Sequence, residues 1–170
     1  MALTINAVSE IFPIAGRFII SRGAKTEAHV VTVTVSDGAH TGRGECVPYA
    51  RYGETVESVI NQVFLHSRAI AAEPARARLQ TSMSPGAARN AIDCALWDFE
   101  AKAGGSSVDE MLGFGKAGPL TTAYTLSLGT PGEMADAARA AAHRPLLKIK
   151  VGGDGDIERL RAVAKAAPNS

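Results

Sequence analysis

The chain has 170 residues, enough for one medium domain or for one small domain with part of another, and its hydrophobic content of 46% is ordinary for a globular protein. The net charge is +1 and no long run of one sign occurs, which excludes the basic surface of a nucleic-acid-binding protein. No apolar segment approaches the length of a membrane span, and no secretory signal is visible at the N-terminus. Two distant cysteines and four scattered histidines provide neither a disulfide framework nor a metal-ligand spacing, so we expect a cytoplasmic protein without a nucleic-acid or membrane partner.

The first fifty residues predict an antiparallel meander of about three strands. A strand from Thr4 to Phe12 is expected to end at Pro13. Valine and threonine alternate from Glu27 to Val35, which is the pattern of a half-buried strand. Asp37-Gly38 predicts a hairpin turn, because glycine tolerates the positive φ that the turn needs, and the chain returns through Thr41 to Cys46.

Residues 55–103 have apolar positions at helical spacing. Thr55 is predicted to cap the first helix. The next helix is predicted to start at Ser84 as its N-cap, with Pro85 at the first helical position, where a missing N–H costs nothing. Gly104-Gly105 is predicted to end that helix.

The pattern changes near residues 118 and 119, where glycine and proline cluster. Beyond them the sequence predicts strand, helix, strand and helix at residues 121–128, 133–143, 146–151 and 156–167. This order is typical of β/α units with a parallel sheet. Two such units cannot close a barrel or cover both faces of a sheet.

A lysine pair interrupts the second of these strands. Residues two apart in a strand project to one face, so Lys148 and Lys150 point together and the apolar residues around them point to the other. In a parallel barrel, inward positions near the C-terminal end of a strand face the active site. At about 5 Å and an effective dielectric near 20, two ammonium groups repel by roughly 3 kcal/mol. That repulsion favours loss of a proton from one lysine, which suits it to act as a general base.

The lysine pair and the glycine-rich segments each allow a second interpretation. Lys-x-Lys is short, and a solvated edge strand accounts for it equally well. A phosphate site in the glycine-rich loop at residues 152–155 is a further alternative because a helix begins there, although Asp154 and Asp156 occupy the anion's position. Residues 113–118 match G-x-G-x-x-G, but nucleotide binding needs a strand before this pattern and a helix after it, and neither is predicted.

Several segments carry motifs that recur together in one group of enzymes. They are Ser21–Gly23 with Glu27-Ala28, Gly44–Tyr49, Arg51–Glu54, Ala87–Asp98, Tyr124-Thr125 with Ser127–Gly129, and Lys148–Lys150. The run Ala87–Asp98 resembles the enolase superfamily specifically. The run from Gly44 to Glu54 is similar to that of the dipeptide epimerases of the L-Ala-D/L-Glu type, in the mandelate racemase and muconate lactonizing enzyme group.

The resemblance implies a fold in two parts. Residues 1–118 correspond to an N-terminal α+β capping domain. Residues 119–170 correspond to the first two β/α units of a modified TIM barrel, which is therefore incomplete.

The resemblance also implies roles for four residues. Lys150 would be the base that removes the α-proton of a carboxylate substrate from one face. Lys148 would bind the carboxylate and tune its neighbour, and Thr125 would contact the substrate. Arg22, in the capping loop, would pair with the acidic side chain of a small dipeptide substrate.

In these enzymes the carboxylate ligands of Mg²⁺ and an opposing lysine come from later barrel strands, which this chain lacks. We therefore expect this chain to be the N-terminal half of an isomerase, to be inactive alone and not to bind Mg²⁺ tightly. The resemblance allows the complete enzyme to be a homo-oligomer. A muconate-cycloisomerase-like or o-succinylbenzoate-synthase-like enzyme is the first alternative. A non-catalytic fragment, or one half of a split protein, is the second.

Overall fold

A computed structural model of the chain describes residues 3–21, 23–74, 76–115 and 117–170. Within them the strands are β1 (Thr4–Ile20), β2 (Gly23–Ser36), β3 (Thr41–Cys46), β4 (Tyr124–Leu126) and β5 (Leu147–Ile149). The helices are α1 (Val56–Ala72), α2 (Arg76–Ser82), α3 (Ala87–Gly104), α4 (Val108–Met111), α5 (Pro131–Ala140) and α6 (Asp156–Ala166), with a 3-10 turn at Ala50–Tyr52.

The chain divides into two compact units. Unit 1 comprises Met1–Phe12 and Ala28–Ala117, and unit 2 comprises Pro13–Glu27 and Gly118–Ser170. A sheet with strand order β1-β2-β3 and a parallel pair β4-β5 are the two sheets among the described residues. Among those residues, none of the helices has the length and apolar character that crossing a membrane requires.

The core of unit 1 lies between its sheet and α3. Val31, Val33 and Val35 of β2 are fully buried and belong to one cluster with apolar residues of α1 and α3. The antiparallel register places Val33 opposite Gly44 and Val35 opposite Gly42. These glycines lie directly against the α3 backbone, because a Cβ on either would collide with main-chain atoms of that helix.

The end of the first strand and the start of the longest helix differ from the sequence prediction. Pro13 does not end the first strand, since β1 continues to Ile20; β1 is an edge strand, where a residue without an N–H is tolerated. The prediction that Ser84 and Pro85 start a helix was wrong, since α3 begins at Ala87.

The start of α3 is stabilised from a distant part of the chain. The Ala87 N–H donates to Glu54 Oε1 at 2.6 Å, and the Tyr49 N–H donates to Glu54 Oε2 at 3.0 Å. Glu54 therefore provides the acceptor that a local N-cap would otherwise supply. The prediction that Gly104-Gly105 ends this helix is confirmed: α3 ends at Gly104, and Gly105 adopts the left-handed conformation with φ of 63°.

The cysteines are both free thiols. Cys46 is buried, and its burial, together with the charge of Glu54, raises the pKa of the thiol to about 11. This thiol therefore stays protonated and poorly nucleophilic at neutral pH.

Arg76 joins α2 to α3 in unit 1. Its guanidinium carbon lies 3.2 Å from the centroid of the Trp97 ring, and its Nε donates to Glu100 Oε2 at 2.9 Å. We expect Arg76→Ala to lower the free energy of unfolding by about 1–2 kcal/mol, because a partly buried cation–π contact and ion pair are lost together. Urea unfolding monitored by circular dichroism measures the change.

Arg78→Ala is the matched control for this prediction. Arg78 belongs to the same helix, and its ion pair with Glu73 is about 60% exposed on both sides. Its removal should change the free energy of unfolding by less than about 0.5 kcal/mol. Equal losses in the two variants would contradict the role of Arg76.

Candidate functional site

The parallel pairing of β4 and β5 brings the predicted residues of unit 2 together. In this register Thr125 lies opposite Lys148, and Leu126 lies opposite Ile149. The ladder continues one residue beyond β5, because the Lys150 N–H donates to the Leu126 carbonyl at 3.2 Å. Thr125, Lys148 and Lys150 therefore lie at the carboxyl ends of two neighbouring parallel strands.

The two faces of this strand pair are chemically different. Leu126, Leu147 and Ile149 pack into the apolar cluster formed with α5 and α6. Because side chains alternate along a strand, Thr125 and Lys148 project from the opposite face, and Lys150 follows the same alternation. Lys148 is exposed there, whereas Thr125 and Lys150 are half-buried.

The distal part of the β1–β2 hairpin, whose described residues are 13–21 and 23–27, belongs to the same compact unit as β4. The Leu128 N–H donates to the Ile19 carbonyl at 3.0 Å. The Ser127 hydroxyl accepts from the Ile19 N–H at 3.4 Å and donates to the Arg17 carbonyl at 3.2 Å. The hairpin thus extends the strand pair with three hydrogen bonds, two of which depend on one hydroxyl group.

The hairpin also brings an aromatic ring to the lysine pair. Lys150 Nζ lies 5.7 Å from the centroid of the Phe18 ring, within the range of a cation–π contact. Sequence reasoning missed both Phe18 and the bridging role of Ser127. Ser127 stands in a motif that the sequence had marked, but the pairing of residues more than 100 apart is visible only in the fold.

Arg22, the predicted partner of an acidic side chain, lies outside the described residues. Its role stays a prediction. Among the residues that are described, no group of three or more His, Cys, Asp or Glu side chains could hold a metal ion.

The loop after β5 is closed by the Asp156 carboxylate. Asp156 Oδ1 accepts from the Gly152 N–H at 3.0 Å, and Oδ2 accepts from the Gly153 N–H at 2.8 Å. These donors, with Arg159, hold the pKa of the Asp156 carboxyl below its usual value. The backbone N–H groups that a phosphate would need are thus occupied by a carboxylate, as Asp156 in the sequence had suggested.

This lowered pKa predicts an acid-sensitive loop. A carboxyl whose folded pKa is depressed contributes stability that is present above its unfolded pKa of about 4 and is lost as the pH falls through the folded value. We expect Asp156→Asn to flatten the pH dependence of the melting temperature below about pH 4, measured by circular dichroism. Asp154→Asn, an exposed residue of the same loop, should retain that dependence; identical curves for the two variants would contradict the assignment.

Comparison with known proteins identifies what this chain is similar to. Residues 2–113 match the family model of the mandelate racemase / muconate lactonizing enzyme, N-terminal domain. The L-Ala-D/L-Glu epimerase of Escherichia coli (strain K12) is 37% identical over 169 residues, which are 98% of this chain and 53% of that protein. The chain thus spans about half the length of the curated relatives that it matches.

Solved structures give the same result. An enolase family member from Agrobacterium tumefaciens with homology to dipeptide epimerases, bound to sodium and L-Ala-L-Glu, is 51% identical with a TM-score of 0.93; the match covers 99% of this chain and 52% of that one. The dipeptide epimerase from Enterococcus faecalis, complexed with Mg and L-Leu-L-Tyr, is 25% identical with a TM-score of 0.85, over 98% and 51% of the two chains.

Proposed function

Since the chain belongs to the mandelate racemase / muconate lactonizing enzyme family, we propose that it supplies one proton-transferring face of an isomerase that epimerises dipeptides of the L-Ala-D/L-Glu type. The proposal rests on the arrangement of Thr125, Lys148 and Lys150 on one face of two parallel strands, where the hairpin places an aromatic ring near Lys150. The similarity to an enolase family member that has homology to dipeptide epimerases and is bound to L-Ala-L-Glu supports the choice of substrate.

Lys150 is proposed as the base. In its neutral form it takes the α-proton of the residue that carries the free carboxylate, and the C–H bonding electrons pass into an enolate. Lys148, exposed on the same face, and Thr125, its strand partner, are placed to bind the carboxylate oxygens as their charge increases. Return of a proton to the opposite face of the enolate inverts the centre.

The architecture is proposed to follow the same family. Residues 1–118 would form the capping domain, and β4-α5-β5-α6 would be the first two β/α units of a modified TIM barrel. Arg22 would belong to the family's capping loop and pair with the acidic side chain of the dipeptide. Mg²⁺, when bound through carboxylates outside this chain, would stabilise the enolate electrostatically.

The chain alone is expected to be inactive, because the second acid and the metal ligands would have to come from sequence that it lacks. We propose that they are restored in a chimera that joins this chain to the part of the Agrobacterium tumefaciens relative that the match does not cover. In D₂O with Mg²⁺, the chimera should exchange the glutamyl α-proton of L-Ala-L-Glu for deuterium and form L-Ala-D-Glu, as followed by proton NMR. The isolated chain should do neither.

Two comparisons make this experiment decisive. L-Ala-L-Glu with its α-carboxylate amidated should not exchange, since the lysines and metal would have no enolate dianion to stabilise. A folded chimera that leaves dipeptides unchanged but converts a muconate or an o-succinylbenzoate precursor would contradict the proposed substrate and favour the other enzymes of this fold.

A further inference from the structure

Arg159 connects the two loops that follow the strands of the lysine site. It lies on α6, and its side chain is 21% exposed. Its Nε donates to the Gly129 carbonyl at 2.9 Å, in the loop that follows β4. Its Nη1 donates to the Asp154 carbonyl at 2.7 Å, in the loop that follows β5, and to Asp156 Oδ1 at 2.9 Å, at the first residue of α6. One guanidinium group therefore bridges both loops.

The loop that follows β5 is held by close packing as well as by hydrogen bonds. The Asp156 carboxylate, which Arg159 contacts, accepts both glycine N–H groups of residues 152 and 153. A Cβ on Gly152 would lie 2.8 Å from Leu128 Cδ2, so the two loops meet in close contact at this point. Gly152 is two residues after Lys150. A short series of contacts therefore connects the Arg159 guanidinium group with the backbone of Lys150.

From these contacts we infer that Arg159 is a positioning residue for Lys150. It sets the end of β5, and with it the lysine, relative to the end of β4, which carries Thr125. The inference rests on the proposed function, since it concerns where the base stands. A displacement of about 1 Å can cost roughly a hundredfold in rate, so a bridge between the two strand ends has a catalytic consequence.

The bridge depends on the shape of the guanidinium group. Its planar fork donates to the two loops from two different nitrogens in a fixed geometry, whereas a lysine presents all of its donors from one nitrogen. The buried apolar cluster of unit 2 is formed by other residues, namely Leu126, Met134, Ala138, Ala141, Val163 and Ala167. Replacement of Arg159 should therefore release the two loops without dissolving that core.

Amide hydrogen exchange on the 170-residue chain tests the bridge without any catalysis. Peptides that cover residues 150–156 should exchange about tenfold faster in Arg159→Ala and in Arg159→Lys, whereas α5 peptides should change by less than about twofold. Arg161→Ala, an exposed arginine of the same helix, is the matched control and should leave both rates unchanged. Unchanged exchange at residues 150–156 in the Arg159 variants would overturn the inference.

The chimera then tests whether the bridge acts through Lys150. Deuterium exchange is measured separately from L-Ala-L-Glu and L-Ala-D-Glu, because Lys150 takes the proton from only one of them. Arg159→Lys should lower exchange of that epimer about tenfold or more and exchange of the other by less than about threefold. Equal losses for both epimers would indicate general destabilisation and would overturn the inference.

The two assays separate the two proposals. If the unmodified chimera exchanges neither epimer, the proposed function fails, and amide exchange still decides whether Arg159 holds the segment that carries Lys150. If the chimera is active but Arg159→Lys behaves like the Arg161→Ala control in both assays, the proposed function stands and the positioning role is wrong.

Discussion

Lys150→Ala is expected to abolish epimerisation by the chimera in both directions, with a fall in kcat of about a thousandfold or more, within the range that a positioned general base contributes. The reason is that inversion needs one group on each face of the substrate, and this variant removes the group on one face. Exchange of the α-proton should survive for the epimer whose proton is taken from the other side. Proton NMR in D₂O measures epimerisation and exchange in the same sample.

Two further lysine variants sharpen this test. Lys150→Arg keeps the positive charge and the long side chain, but a guanidinium does not lose its proton in a protein, so it should be as inactive as Lys150→Ala. Lys165→Ala, an exposed lysine of α6, should keep full activity. If Lys150→Ala retained epimerisation within about tenfold of the unmodified chimera, Lys150 would not be the base.

Gly44→Ala is expected to destabilise unit 1 strongly. A Cβ at this position would lie 2.6 Å from the Ala95 nitrogen and would overlap the Ala91 carbonyl oxygen. Both are backbone atoms of α3, so no side chain can move aside, and the strand and helix must separate. We expect a loss of about 3 kcal/mol or more, with a fall in melting temperature of about 6–12 °C.

Gly104→Ala is the control for this prediction. It lies at the end of the same helix, where an added Cβ would have its nearest contact, the Ser106 hydroxyl, at 3.6 Å. Its melting temperature should remain within about 3 °C of the unmodified chain. A Gly44→Ala chain that melts with the control would contradict the backbone contact between β3 and α3.

Much of the fold followed from local patterns. The alternation of valine and threonine predicted β2, Asp37-Gly38 predicted its turn, and the order of elements after residue 118 predicted the parallel pair. The predicted helix start at Ser84 was wrong, because a local capping pattern cannot show that Glu54 supplies the acceptor from more than 30 residues away.

The family resemblance was confirmed by the family model and by the similar epimerases. For the site, alternation within one strand was enough to predict that Lys148 and Lys150 share a face, and the resemblance marked Thr125. Their roles, and that of Arg22, stay predictions. The structure adds two residues to the site: Phe18, whose ring lies near Lys150, and Ser127, whose hydroxyl is hydrogen-bonded to the hairpin.

The sequence by itself determined the family, the order of the elements and the face on which the lysine pair lies, because these depend on residue identity and on spacing along one segment. Only the tertiary structure decided that the Phe18 ring of the hairpin lies near Lys150 and that Arg159 bridges the loops that follow β4 and β5. The physical reason is that such contacts depend on strand register and loop closure between distant segments. The sequence is therefore enough to identify the lysine pair, whereas the residues that surround it are known only from the fold.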